Sequence, residues 1–205
     1  MSTTNDTSNS VDVVNGTEIV DGAEVIENFL LDRLGENYTN TYKYFENNKQ
    51  ETIDDFILYF AKLCELTRHQ QKFIAKPPIA YLHIGFLRSS LLTGSNEFRI
   101  GFHDERLWLD TVESSVYWKG DFLFQCVEPD MDEVKKILKS FPEMSKDEIH
   151  EIRYRYAQCY FVPLARQVVQ DIILEALEIP EFSQLQLDKN ISVLFGGYME
   201  GGEEI

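Results

Sequence analysis

Three cysteines in 205 residues, Cys64, Cys126 and Cys159, are too few and too widely spaced for a disulfide framework, and no Cys-x-x-Cys occurs. Each stands beside an apolar or aromatic neighbour and reads as a small buried hydrophobe in a reducing compartment. Basic residues are scarce as well. Nineteen Lys and Arg face 35 Asp and Glu, a formal charge of −16. That deficit argues against non-specific binding to nucleic acid or to an anionic membrane, since both polyanions demand a basic surface. No apolar run approaches the roughly 18 residues that would span a bilayer. The beginning of the chain, Met1-Ser-Thr-Thr-Asn-Asp, has neither a positive nor an apolar stretch of the secretory kind, so a cytoplasmic location is expected. The 11 glycines are scattered or terminal, and none builds a Gly-x-x-x-x-Gly-Lys phosphate cradle, a Gly-x-Gly-x-x-Gly turn or a Gly-x-Ser-x-Gly elbow.

What is present is an ordinary globular composition, 43% hydrophobic with 13% aromatic. A folded region of about 180 residues buries roughly 70% of its unfolded surface and needs no metal or disulfide staple. Residues 1–20 are polar and lack aromatics, and they are expected to form a disordered tail. From Asp21 onward, Val25, Ile26, Phe29, Leu30 and Leu34 recur at helical spacing, with Gly35 as a stop. Tyr38, Tyr42, Tyr44 and Phe45 continue the spacing as a second short helix over 36–50, and Thr52-Ile-Asp-Asp55 resembles a capping box opening a further helix, on which Phe56, Ile57, Phe60, Leu63 and Cys64 form one stripe.

Pro77-Pro78 introduces the strand region. Ile79 to Leu92 is apolar on both faces, as expected of a central, doubly covered strand. Gly94-Ser95 reads as a two-residue hairpin turn into Glu97–His103, where Phe98, Ile100 and Phe102 alternate inward. Arg106 to Thr111 and Ser115 to Val127 supply two more candidate strands. After Pro129 the helical period returns: Val134, Ile137, Leu138 and Phe141, then the capping box Ser145-Lys-Asp-Glu148, then a helix kinked at Pro163. Ile191–Phe195 is a last candidate strand, and residues 196–205 read as a flexible acidic end. The expected fold is therefore α+β: one domain over residues 21–195, with an antiparallel meander of three to four strands packed against N- and C-terminal helices.

Catalytic motifs are incomplete. His150-Glu151-Ile-Arg-Tyr154 has Tyr154 where a zinc helix needs its second imidazole, and the single Asp147/His150 pair falls short of a dinuclear iron set. His103-Asp104-Glu105-Arg106 is the densest titratable cluster. A base there would need a nucleophile such as Cys126, Ser89 or Ser90 brought to it, and adjacency alone does not supply one. The aromatics Tyr154, Tyr156, Tyr160 and Phe161 belong to packing more naturally than to base stacking in so acidic a chain. Asp130, Asp132 and Glu133 are either a contact surface or a solvated helix start.

Residues 51–100 are the only quarter that is not net acidic. If Gly94-Ser95 closes a tight hairpin, Leu92 lies opposite Glu97, and Arg88, Ser90, Arg99 and His103 converge on one sheet face around Gly101. Two guanidiniums on rigid strands suit a carboxylate or phosphate ligand; otherwise they pair with the chain's own surplus of acids. The expectation is a non-catalytic acidic domain that binds a protein partner, as an inhibitor, immunity-type protein or adaptor. The alternative is a small enzyme with that anion site on its sheet. No cofactor and no metal site are expected, and oligomeric state stays open.

Overall fold

The structure is a computed structural model that describes residues 22–141 and 145–205; the expected disordered tail, residues 1–20, lies outside the described residues. Two long helices open the chain, α1 (Gly22–Asn47) and α2 (Lys49–Phe73), joined through the single residue Asn48. Gly35 does not stop α1, because a lone helix glycine costs only about 1 kcal/mol and tertiary burial of Ile26, Leu30, Thr41 and Phe45 outweighs it. Nor does Thr52 cap α2. The helix starts three residues earlier, and the Thr52 hydroxyl donates back to the Asn48 carbonyl instead. The α2 stripe Phe56, Phe60, Leu63, Cys64 and Thr67 is buried as its spacing requires.

The sheet comprises β1 (Ile79–Phe86), β2 (Glu97–His103), β3 (Ser114–Lys119), β4 (Leu187–Gly197) and β5 (Glu203–Glu204), in the order β3-β2-β1-β4-β5. The β1–β2 and β2–β3 pairs are antiparallel, and β1–β4 is parallel, so the sheet is mixed and not a pure meander. The reason lies in the connection. The chain leaves β3 through the helices α4 (Val127–Ile137), α5 (Lys146–Tyr156), α6 (Val162–Leu177) and the short α7 (Pro180–Ser183), a crossover long enough to return β4 beside β1 in the same direction. β1 is thus the central strand, with its neighbours β2 and β4 on either side.

The helices cover one face of this sheet. Phe60 of α2 meets Phe102 at 5.7 Å between ring centroids, and Phe56 meets Trp118 edge-on at 5.3 Å. Leu82, Ile84, Phe86, Phe98 and Ile100 complete that buried layer.

The hairpin between β1 and β2 corrects the expected register. Residues 87–92 are not strand: Arg88–Thr93 form a short helix, α3, closed by Gly94 in the left-handed region at φ 73°, whose N–H returns to the Ser90 carbonyl. A glycine with positive φ serves a helix stop as readily as a hairpin turn, and packing of α3 against α5 chose the former. The observed pairs are Phe86 with Phe98, Gly85 with Arg99, His83 with Gly101 and Tyr81 with His103. Phe86 therefore faces the helices with Phe98, instead of sharing the opposite face with His103.

Further along, residues 107–109 form a 3-10 turn and 121–124 another, where strand was expected. The box at Ser145–Glu148 is formed in full. α5 and α6 join through a π-helical turn, Ala157–Phe161, where the Val162 N–H reaches back to the Ala157 carbonyl just before Pro163, which has no amide N–H to donate. The end of the chain is paired, not loose: β5 runs antiparallel to β4, with Leu194 opposite Glu204 and Phe195 opposite Glu203. Phe195 is buried in the core, which anchors the segment.

Candidate functional site on the open face of the sheet

Opposite the helices, the strand parity sets out Tyr81, His83 and Gly85 on β1, Arg99, Gly101 and His103 on β2, and Ser115 and Tyr117 on β3. Among the described residues, two short segments lie over them. One is the 3-10 turn Leu107–Leu109, which brings Trp108 edge-on to His83 at 4.7 Å and to His103 at 5.2 Å. The other is the turn between β4 and β5, which brings Tyr198 edge-on to Trp108 at 5.7 Å and under the Arg99 guanidinium at 4.6 Å.

Two glycines make room for this layer. A Cβ on Gly85 would fall 2.4 Å from Cε1 of His83, and one on Gly101 would fall 2.8 Å from Nη1 of Arg99 and 3.2 Å from Nε2 of His103. Arg88 thus takes no part in the surroundings of Gly101, which is a socket filled by the neighbours on its own strand.

The cover is held by charge. Lys76, fully buried, donates to Asp110 at 2.5 Å and to the Val112 carbonyl. Asp110 also accepts from the backbone N–H groups of Asp104 and Val112, at 3.1 and 2.8 Å. Asp104 in turn is chelated by Arg106, which holds its carboxyl below the usual range. The loop between β2 and β3 is therefore fastened at its base, and Trp108 projects from its middle.

Beneath the cover the polar groups are incompletely partnered. Arg99 donates from Nη2 to Glu113 at 2.8 Å, and its Nη1 has no partner. Its guanidinium also holds the Glu113 carboxyl below the usual range, with help from Ser115. Nδ1 of His103 faces the Leu107 carbonyl at 3.1 Å. A carbonyl only accepts, so Nδ1 carries the proton and Nε2, which has no partner, is an acceptor. Neither ring nitrogen of His83 makes a hydrogen bond, although the Gly201 backbone lies close enough to favour its charged form slightly. Burial pushes both histidines down to about 4, with Arg99 adding to the effect in each and His103 adding to it in His83. Both imidazoles are neutral at pH 7.

Of the four residues expected to form an anion site, the structure brings Arg99 and His103 together and separates Arg88 and Ser90 from them. Arg88 is on α3, stacked on Tyr154 at 4.2 Å and 3.5 Å from Glu151. Ser90 is buried in the same turn, where its hydroxyl accepts from the Glu97 N–H at 2.6 Å and meets that of Ser95 at 3.0 Å. Both guanidiniums take the protein's own carboxylates, the outcome that opposes an anion site. His83, Trp108 and Tyr198 were not singled out in the sequence. The signal for His83 was a histidine on the same strand parity as Tyr81 and Gly85, on an otherwise apolar central strand.

Elsewhere, Asp130 is not a surface acid. It is fully buried and accepts from Arg33, from Asn37 at 2.6 Å and from Tyr156 at 2.5 Å, while Asp132 and Glu133 pair with Lys135 and Lys136 on the surface. Cys64 is buried, Cys126 half-buried and Cys159 exposed; burial pushes the first two thiols up to about 12 and about 11. A groove of about 250 Å³ lies between α1 and α5, lined by Ile26, Leu30, Ile152, Tyr156, Cys159 and Tyr160. Among the described residues no three His, Cys, Asp or Glu stand together as metal ligands, and no helix is long and apolar enough to cross a membrane. No family model, curated protein or solved structure matches the chain.

Proposed function

We propose that the protein is a non-catalytic, acidic protein-interaction domain that works in the cytoplasm, binds no nucleic acid, and docks a basic protein partner on the open face of its sheet. One observation carries this reading: among the described residues helices back one sheet face, and the other presents aromatic and apolar side chains to solvent. Leu109 is 76% exposed, Met199 61% and Tyr117 48%, around the half-buried Trp108 and Tyr198. Large amphipathic aromatics on a rigid support are the usual anchors of protein interfaces. Exposed carboxylates rim the face at Glu105, Glu113 and Glu204, within a molecule of charge −16, and together they favour a basic partner and speed its approach.

Chemistry supports binding over catalysis at this site. An imidazole titrating near 4 is a weak base at pH 7, and the nucleophiles weighed for it lie elsewhere: Ser90 is engaged within the α3 turn, and Cys126 neighbours Asp130 and Thr41. The test is co-purification of the wild-type protein, the double variant Leu109→Asp/Tyr117→Asp, and a control variant Leu58→Asp on α2, at low and moderate salt. A stoichiometric basic partner retained by wild type and control, and lost by the double variant, is expected. No stoichiometric partner, or one retained equally by all three, overturns the proposal.

A further inference from the structure

We propose that the two buried imidazoles of the open face form an acid-operated latch: protonation of His83 and His103 lifts Trp108 and Tyr198 off the sheet while the helix-backed core stays folded. This goes beyond the docking proposal and stands whether or not a partner binds there.

The geometry offers an added proton little to share it: the Gly201 backbone beside His83, and for His103 nothing beyond the Leu107 carbonyl that its Nδ1–H already meets. His83 is fully buried and His103 is 6% exposed, and three of their four ring nitrogens lack partners. The groups around them are Tyr81 from β1, Arg99 from β2, Lys76 from the segment before β1, Asp104, Arg106, Asp110 and Glu113 from the loop before β3, Tyr198 from the β4–β5 turn, and Glu204 from β5. The carboxylates nearest the rings are already engaged: Glu113 by Arg99, Asp110 by Lys76 and Asp104 by Arg106. A proton on Nε2 of His103 would point into the Gly101 socket that Nη1 of Arg99 occupies. A second on His83 would add another cation to the same dry cluster. Like charges out of water are relieved by hydration, and burial already holds both rings neutral down to about pH 4.

Water can enter only where the structure is thin. The floor is the central pair β1–β2, backed by the aromatic core, and it stays put. The cover is a three-residue turn and a five-residue turn, and each includes a non-glycine residue in the left-handed region: Leu107 at φ 52° and Met199 at φ 62°. Releasing these segments relaxes that strain, whereas opening the floor would break the sheet. The two indoles report the two layers separately, since Trp108 is in the cover and Trp118 is 1% exposed in the core.

The experiment is an NMR titration of the isotopically labelled full chain from pH 7.5 to 4, following the imidazole signals and the two indole N–H peaks. The expected result is a step between pH 6.5 and 4 at which His83 and His103 protonate. In the same step the Trp108 indole and Tyr198 move to solvent-exposed positions, and Trp118 and the core amides are unchanged. In His83→Gln/His103→Gln, Trp108 should show no step. Trp108 and Trp118 changing together, Trp108 staying still while the histidines titrate, or an undiminished step in the double variant would each overturn the latch. If the double variant does not fold, the wild-type titration decides alone, on whether the histidine and Trp108 midpoints coincide with Trp118 unmoved.

Discussion

Replacing Lys76 with Met tests how the cover of the open face is fastened. The ammonium and its partner carboxylate on Asp110 are 0% and 2% exposed, so water cannot take over when one is removed. Breaking a buried pair by deleting one member costs about 3–5 kcal/mol, mostly because the other charge is left uncompensated. Asp110 keeps two backbone N–H donors, from Asp104 and Val112, which places Lys76→Met near the lower limit, about 3 kcal/mol. Urea unfolding followed by tryptophan fluorescence should then show the midpoint falling by about 1 M, for a slope of about 2–3 kcal/mol/M. Adding Asp110→Asn to Lys76→Met should recover about 1 kcal/mol or more, because the stranded charge disappears while one amide oxygen still accepts from the loop. A loss below about 1 kcal/mol for the single variant, or a further loss in the double, would refute the reasoning.

Other consequences follow from the same geometry. Gly101→Ala should destabilise by about 1–3 kcal/mol, since its Cβ meets Arg99, His103 and the fixed Ser114 carbonyl, whereas Gly35→Ala, with nothing within 4 Å on an exposed helix face, should stabilise by about 0.5–1 kcal/mol; thermal unfolding of both compares them. Thiol labelling of the native protein should modify Cys159 rapidly, with Cys126 slow and Cys64 silent until urea is added. Both histidines have a folded-state pKa near 4, below the unfolded value of about 6.5, so the unfolded chain takes up protons first. Stability is then full above about pH 6.5 and falls as pH drops toward 4, by about 2 kcal/mol per histidine between pH 7.5 and 5. Urea midpoints at those two pH values measure it, and His103→Gln should shrink the difference.

How much of this was legible in the sequence depended on the range of the interactions. The alternation of Phe98, Ile100 and Phe102 identified β2 and its inner face, and the Ser145–Glu148 box marked the start of α5, because both signals are local. The register of β1 was not local. Gly94 fits a hairpin and a helix stop equally, and the choice rests on Leu91, whose carbonyl accepts from Arg153 on α5, 62 positions away. The parallel partner β4 was similarly hidden, since its place beside β1 is set by the length of the helical crossover. At the site, Arg99 and His103 shared a face by simple parity and could be paired on paper. Trp108 and Tyr198 could not, because one sits on a turn fastened by Lys76 and Asp110, and the other on a chain end that pairing with β4 folds back.

Docking of a basic partner on the open sheet face can be trapped by placing a photoreactive benzoylphenylalanine at position 117 or, as a control, at position 58, and irradiating living cells of the protein's own source. Tyr117 lies on β2's far neighbour beside Arg99, while Leu58 projects from α2 at 53% exposure on the helical side. One dominant cross-link to a basic protein is expected from position 117, weakened at high salt in extracts, and none to that protein from position 58. Equal cross-linking from both positions, or none from position 117, would contradict it.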